Sequence, residues 1–132
     1  MKFLSDEGYR PSLEQEGDDA SSAVIRFKSE GRTFLALVDL SDPLYLHIEL
    51  GFSLPEGCDL AMLISAANDL NQSRKVVKTI VDAENKVVEF HAELFLADEA
   101  PDAALLQRIL GALPAAAEEF FERRCKAPEL NA

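Results

Sequence analysis

Two consecutive stretches decide the fold: CDLAMLISAANDLNQSR (residues 58–74) and VVKTIVDAENKVVEFHAELFL (residues 76–96). In the first, apolar residues recur every three or four positions, which predicts an amphipathic helix with a stripe of Leu60, Leu63, Ile64, Ala67 and Leu70. In the second, apolar and polar residues alternate on both sides of residues 83–86, which predicts two strands joined by a turn. A helix followed by a hairpin indicates a domain in which helices pack against an antiparallel sheet.

Three more strand-like runs precede this unit, at residues 23–29, 33–40 and 45–52. Because short turns join them, we expect an antiparallel meander. The middle run is apolar on both faces, since Leu35 and Leu37 alternate with three apolar neighbours. It is therefore either a strand covered on both sides or one with an exposed apolar strip. Cover by the terminal helices of the same subunit is the simpler interpretation.

The two ends of the chain add helices. Residues 1–7 favour a short opening helix, and Pro11 favours an extended segment after it. A last helix begins near residues 101–102, and its apolar face continues across Pro114, so we expect one kinked helix. The sequence therefore predicts a single α+β domain over residues 1–132, with the order α-βββ-α-ββ-α and an antiparallel sheet packed by helices.

The charge balance excludes some classes of partner. The chain has 13 Lys and Arg against 24 Asp and Glu, a formal net charge of −11. Nucleic-acid affinity comes chiefly from neutralising phosphates with clustered cations, so we expect no nucleic acid partner. Anionic membrane surfaces are disfavoured for the same reason, and no apolar run approaches the roughly 20 residues of a membrane span.

The expected location is the cytoplasm. The opening residues MKFLSDEGYR have one early lysine, two early acids and no apolar segment, so they do not have the pattern of a secretory signal. Cys58 and Cys125 are the chain's two cysteines, and we expect both to be free thiols in a reducing compartment.

Candidate reaction chemistry is confined to two histidines and their neighbours. His47 is followed by Glu49, and His91 is flanked by Glu89 and Glu93. Alternate residues of a strand share one face, so two histidines and a carboxylate would form a metal site if the two strands were adjacent. The simpler interpretation is a wet polar face. Neither cysteine has a CxxC partner and no glycine motif fits a phosphate, so we expect no catalytic, metal or cofactor-binding residue.

Two positions of the predicted middle helix have a different character. Asn71 projects into the apolar stripe, where it either caps the helix end or makes a hydrogen bond to the adjoining segment. We favour such a structural role over contact with a ligand. Met62 lies on the outward side of the same helix, and methionine suits adaptable interfaces. Met62 is therefore a candidate partner-binding residue together with Leu35 and Leu37.

The sequence resembles a known family. The matching pieces are FLSDEGYRP (3–11), AVIRFKSEGRTFLALVDLSDPLYL (23–46) and AANDLNQSRKVVKTIVDAENKVVEFHAELFL (66–96). With the predicted element order, the length and the acidic composition, they resemble the class I type III secretion chaperone fold, and more specifically the YbjN family of bacterial proteins. The opening helix is much shorter here than in typical relatives.

The resemblance implies a non-enzymatic regulator or chaperone-like module, commonly a homodimer without a cofactor. Secretion chaperones hold an extended segment of a client protein against apolar surface patches, and YbjN relatives have been described as sensory-transduction regulators. We therefore expect a protein partner or client and a homodimer. The alternative from the residues is a small metal-dependent or acid–base enzyme that uses His47 and His91 with Glu49, Glu89 and Glu93.

Overall fold

The computed structural model describes residues 2–16, 22–98 and 102–123. Within these ranges the chain forms three helices and six strands. In chain order they are α1 (Lys2–Asp6), β1 (Ser12–Glu16), β2 (Ser22–Ser29), β3 (Arg32–Asp39), β4 (Tyr45–Ser53), α2 (Leu60–Ser73), β5 (Val77–Asp82), β6 (Val87–Phe95) and α3 (Ala103–Arg123).

The strands form one six-stranded antiparallel sheet in the order β1-β2-β3-β4-β6-β5. Strands β1 to β4 are a meander, but the chain then passes through α2 to the far edge, so that β5 lies outside β6. Ile48 of β4 is paired with Ala36 of β3 on one side and with Ala92 of β6 on the other. The topology therefore brings together β4 and β6, which are separated in sequence by α2 and β5.

The predicted α+β class, the antiparallel sheet and the order of the helices are confirmed. The extended segment around Pro11 continues into a further strand, β1, which pairs with β2 and has a register shift between Leu13 and Gln15. The last helix is continuous across Pro114, as predicted, and the Asp102 carboxylate accepts a hydrogen bond from the backbone N–H of Leu105. Pro101 lies outside the described residues.

All three helices contribute to one apolar core on a single side of the sheet, which we call the helix face. Because side chains alternate along a strand, every second residue faces this core. The largest fully buried side chains are Phe27, Phe34, Ile48, Leu70, Val88, Phe90, Leu106, Leu113 and Phe120.

The opposite side of the sheet, which we call the bare face, is not covered by any helix within residues 2–16, 22–98 and 102–123. By register and alternation it carries Arg26, Leu35, Leu37, His47, Glu49, Lys78, Ile80, Glu89, His91, Glu93 and Phe95. The expectation that the terminal helices cover the second face of β3 is therefore wrong, because both terminal helices bury their apolar side chains on the helix face.

Helix α2 is oriented slightly differently from the predicted stripe. Leu63, Ala66, Ala67 and Leu70 are its buried residues, whereas Leu60 and Ile64 are 43% and 52% exposed. Successive helical residues are about 100° apart, so Ile64 lies well to one side of an arc centred between Leu63 and Ala66. The Asp59 carboxylate caps the helix by accepting from the backbone N–H of Ala61.

Asn71 has the predicted structural role. Its amide donates to the backbone carbonyl of Thr79 over 3.0 Å and accepts from the Thr79 N–H over 2.6 Å. Thr79 belongs to the edge strand β5, and both bonded groups point away from β6. The side chain therefore fastens α2 to the sheet and occupies backbone groups that an open edge would leave free.

Two further observations concern the expected environment of the chain. None of the described helices is both long enough and apolar enough to cross a membrane. Cys58 is disulfide-bonded, so the prediction of a free thiol at this position is wrong. Cys125 lies outside the described residues.

Candidate functional site

The pairing of β4 with β6 gathers the chain's two histidines on the bare face. His47 lies opposite Glu93 and Glu49 lies opposite His91, so each imidazole has a carboxylate as its cross-strand neighbour. Glu89 shares the face because it is two residues from His91. The two strands that carry the histidines are therefore adjacent, as the alternative of a metal-dependent or acid–base enzyme requires. We call these five residues the histidine cluster.

The two imidazoles are in direct contact at the centre of the cluster. His47 Nε2 lies 2.7 Å from His91 Nδ1. A carboxylate oxygen lies close to each of these nitrogens: Glu93 Oε1 is 3.4 Å from His47 Nε2, and Glu49 Oε2 is 3.3 Å from His91 Nδ1. Hydrogen-bonding nitrogen and oxygen atoms from two strands therefore converge on one small volume.

His91 is buried although no described helix packs on its side of the sheet. The residue is 7% exposed, because side chains of β4, β5 and β6 surround it. The prediction of a wet face is thus wrong at this position. Its Nε2 atom has no hydrogen-bond partner among the described residues, and Glu89 Oε1 is 3.5 Å away, which is beyond a good hydrogen bond.

Two neighbours hold the carboxylate of Glu93. The Tyr45 hydroxyl donates to Glu93 Oε2 over 2.7 Å, and Lys78 Nζ lies 3.4 Å from Glu93 Oε1. The hydrogen bond to Glu93, followed by burial, raises the pKa of Tyr45 to about 12. The same bond lowers the pKa of Glu93, because it stabilises the ionised carboxylate. Glu93 is therefore a fixed anion beside His47.

Burial has opposite consequences for the pKa of a base and of an acid in this cluster. It lowers the pKa of His47 and is the largest cause of that shift, with the charge of Glu93 acting in the opposite direction. Burial also raises the pKa of Glu49, opposed by His91. Desolvation disfavours the charged form of either group. His47 is therefore held towards its neutral form, in which an imidazole nitrogen keeps a lone pair.

The histidine cluster offers lone pairs and proton-holding groups but contains no hydroxyl or thiol nucleophile. Two imidazoles and three carboxylates are ligands for a transition metal, or a pair of acid–base groups. Hydrolysis through a covalent intermediate would require a nucleophile beside the base, and these five residues do not supply one. What the geometry supplies is a place to hold a cation or a proton.

Residues 1–124 match the model of the family YbjN, described as "Putative bacterial sensory transduction regulator". The chain belongs to the YbjN family. The resemblance inferred from the sequence is thereby confirmed, and the family description is that of a regulator rather than an enzyme.

A solved structure has the same overall fold as this YbjN chain. It is the crystal structure of an uncharacterized protein from Methanothermobacter thermautotrophicus, with 12% sequence identity and a TM-score of 0.62. The match covers 92% of this chain and 90% of that one, so the likeness concerns nearly the whole fold. No curated protein matches the chain.

The candidate partner-binding residues of this YbjN chain lie in two places. Leu35 and Leu37 are half-buried on the bare face, and Leu35 lies directly opposite Glu49. Met62 is half-buried on α2 and is not part of that surface. The structure therefore brings the two leucines next to the histidine cluster and leaves Met62 apart from them.

Phe95 lies on the bare face, although the sequence did not predict it as a candidate partner-binding residue. It is 78% exposed, and its ring lies 5.8 Å from that of Tyr45, measured between centroids. A signal was available, because Phe95 continues the alternation of Glu89, His91 and Glu93 on one face of the predicted strand. Ile80, which is 38% exposed on β5, also lies on the bare face.

The bare face also has a depression of about 400 Å³. It lies over Gly51, whose missing side chain leaves a gap in β4. A Cβ atom added at Gly51 would meet only the Val88 carbonyl oxygen, at 3.9 Å. The bare-face residues around it are Arg26, Thr33, Leu35, Glu49, Ser53, Val87 and Glu89. The walls combine apolar and charged groups, which suits a polypeptide side chain.

Proposed function

We propose that this YbjN protein is a non-enzymatic, chaperone-like regulator that works as a homodimer and binds a segment of a partner polypeptide on the bare face of its sheet. The observation that supports this most is the combination of an uncovered sheet face with exposed or half-exposed apolar side chains. Leu35 and Leu37 form an apolar strip on β3, while Phe95 and Ile80 lie on β6 and β5 with the histidine cluster between them and the strip.

The apolar part of the proposed surface is formed by Leu35, Leu37, Ile80 and Phe95. Full burial of one such side chain is worth about 1.5–3 kcal/mol relative to exposure, and these side chains keep part of that surface in contact with water. A partner that covers these side chains gains the free energy of burying the surface that is still exposed. The depression over Gly51 gives one partner side chain a defined position.

The charged part of the surface points to the chemistry of the partner segment. Glu49, Glu89 and Glu93 flank the apolar residues, and the chain has a formal net charge of −11. Potentials across protein interfaces are usually complementary, so the fitting segment combines apolar side chains with lysine or arginine.

A separate surface on α2 supports the homodimer. Leu60 and Ile64 are exposed one turn apart and share one side of the helix, whereas Met62 points to the other side. In the proposed dimer Leu60 and Ile64 meet the same helix of a second copy, as in an isologous two-fold interface.

The partner site is tested by affinity capture from the native host with a paired variant. We expect the double substitution Leu35→Thr and Leu37→Thr to reduce the amount of captured partner by roughly tenfold or more, since it removes apolar contact but keeps residues that favour strands. Leu40→Thr is the matched control, because Leu40 is 63% exposed in the turn after β3. Equal capture by both variants would contradict the proposal.

The homodimer is tested by sedimentation over a range of concentrations. We expect the wild type to sediment as a dimer and the variant Leu60→Glu with Ile64→Glu to sediment as a monomer. A wild type that stays monomeric throughout the range would rule out the dimer without affecting the partner site.

A cytoplasmic location belongs to the same proposal and is separately testable. Disulfides are rare in the cytosol of most organisms, so the bond at Cys58 is the feature that bears on it. Fractionation of native host cells should recover the protein in the same fraction as a cytoplasmic marker enzyme. Recovery with markers of an oxidising compartment would contradict a cytoplasmic location and would agree with the disulfide at Cys58.

A further inference from the structure

The two imidazoles of the histidine cluster cannot both be satisfied by the described residues while they are neutral. A neutral imidazole has one N–H donor and one acceptor nitrogen. If the proton of His91 is on Nδ1, it is donated to His47 Nε2 across 2.7 Å, and the bare Nε2 of His91 then faces the carboxylate of Glu89. If the proton is on Nε2, that buried donor has its nearest carboxylate oxygen 3.5 Å away.

A cation between the two histidines fits the second arrangement and makes ligands of the two nitrogens that face each other. His91 Nδ1 would then give its lone pair to the ion, and its Nε2–H would point towards Glu89. Histidines that bind metals usually donate their second N–H to a carboxylate or a carbonyl in this way. The 7% exposure of His91 keeps water from competing for the same atoms.

We propose that His47 Nε2, His91 Nδ1 and Glu93 Oε1 form a binding site for a zinc-type divalent transition-metal ion. The three atoms all lie within 4.8 Å of one another. In a tetrahedral zinc site the ligand atoms are about 3.3 Å apart, as follows from zinc–nitrogen distances of about 2.0–2.1 Å. The His47–Glu93 separation of 3.4 Å already fits, and the two imidazole nitrogens need to move apart by about 0.6 Å.

Other groups in the cluster support the assignment to a metal of this type. Tyr45 holds Glu93 Oε2, and Glu93 Oε1 lies 3.4 Å from both His47 Nε2 and the exposed Lys78 Nζ, which the ion would displace. Glu49 Oε2 lies 3.3 Å from His91 Nδ1 and supplies further negative charge beside the ion. Two nitrogen ligands favour zinc, cobalt, nickel or copper over magnesium and calcium, which prefer oxygen.

The metal site shares Glu93 with the proposed partner surface, but its test measures Zn²⁺ uptake by the chain alone. Three protein ligands leave a fourth position open, as in catalytic rather than purely structural zinc sites. The cluster contains no nucleophile of its own, so the open position would take water or a donor atom from a bound segment.

The test is calorimetric titration of the metal-free full chain with Zn²⁺. We expect one ion per chain, and a loss of affinity of roughly a hundredfold or more in both His47→Ala and Glu93→Gln. Glu84→Gln is the control for binding to surface carboxylates, because Glu84 is exposed in the turn between β5 and β6; its affinity should equal that of the wild type. Circular dichroism establishes whether each variant is folded. If His47→Ala does not fold, the loss of Zn²⁺ affinity in Glu93→Gln tests the proposal.

Tyr45→Phe distinguishes a positioning role from a structural one. We expect Zn²⁺ affinity to fall by roughly tenfold while the thermal unfolding of the metal-free chain stays unchanged, because the variant loses only the bond that directs Glu93. The proposal is overturned if the wild type takes up no stoichiometric Zn²⁺, or if uptake survives His47→Ala. The first result would mean that the close nitrogens share protons instead of a metal.

Discussion

Strand β6 directs Phe90 to the helix face and Phe95 to the bare face, and the two phenylalanines are 0% and 78% exposed. The ring of Phe90 packs against those of Phe52 and Phe120, within a core to which all three helices contribute. Phe95, in contrast, contacts the ring of Tyr45 and is otherwise largely exposed to water. The helix face therefore accounts for why the chain folds, and the bare face retains surface that can bind something else.

The largest difference between the two faces should appear in stability. We expect Phe90→Ala to lower the free energy of unfolding by about 3–5 kcal/mol, because it leaves a cavity in a close-packed core. Phe95→Ala, a chemically identical change five residues along, should change it by less than about 0.5 kcal/mol. Urea unfolding of both variants measures the contrast, and similar costs would mean that the bare face is part of the core.

The sequence predicted the parts of the molecule that local patterns determine. The helix at residues 60–73, the turn at residues 83–86 and the continuation of α3 across Pro114 all follow from periodicity or turn chemistry. The role of Asn71 followed from a polar residue in an apolar stripe. Each of these depends on residues that are close together in sequence.

The histidine cluster could not be predicted in the same way. Its existence depends on β4 pairing with β6 rather than with β5, and no local pattern decides this order. The burial of His91 depends in turn on long side chains from three strands, whereas its own neighbours, Glu89 and Glu93, indicate a wet face. Likewise, Leu35 and Leu37 could be assigned to an uncovered face only after the helices had been placed.

An intermediate loss of stability is expected at the sheet edge, where Asn71 joins α2 to β5. Asn71→Ala removes both hydrogen bonds to the backbone of Thr79 and leaves two groups of an edge strand without this partner. We expect a loss of about 1–2 kcal/mol in the free energy of unfolding. Asn68→Ala, at an exposed position one turn earlier in α2, is the control and should be neutral or slightly stabilising. Equal effects in urea unfolding would show that the two bonds contribute nothing.

A smaller effect on stability than at Asn71, with a clear effect on partner binding, is expected at Gly51. Gly51→Val fills the depression on the bare face, and a Cβ atom has room there. Because valine favours strands over glycine, the free energy of unfolding should rise by up to about 1 kcal/mol. Capture of the partner should nevertheless fall by roughly tenfold. A variant that is more stable and still captures the partner fully would place the partner elsewhere.

Covalent footprinting of the chain with and without its captured partner shows whether the partner covers the bare face. Mass spectrometry should show that labelling of Leu35 and Phe95 falls in the complex, while labelling of Leu40 in the turn after β3 is unchanged. Unchanged labelling of Leu35 and Phe95, with protection only on the outer surfaces of α2 or α3, would contradict the account.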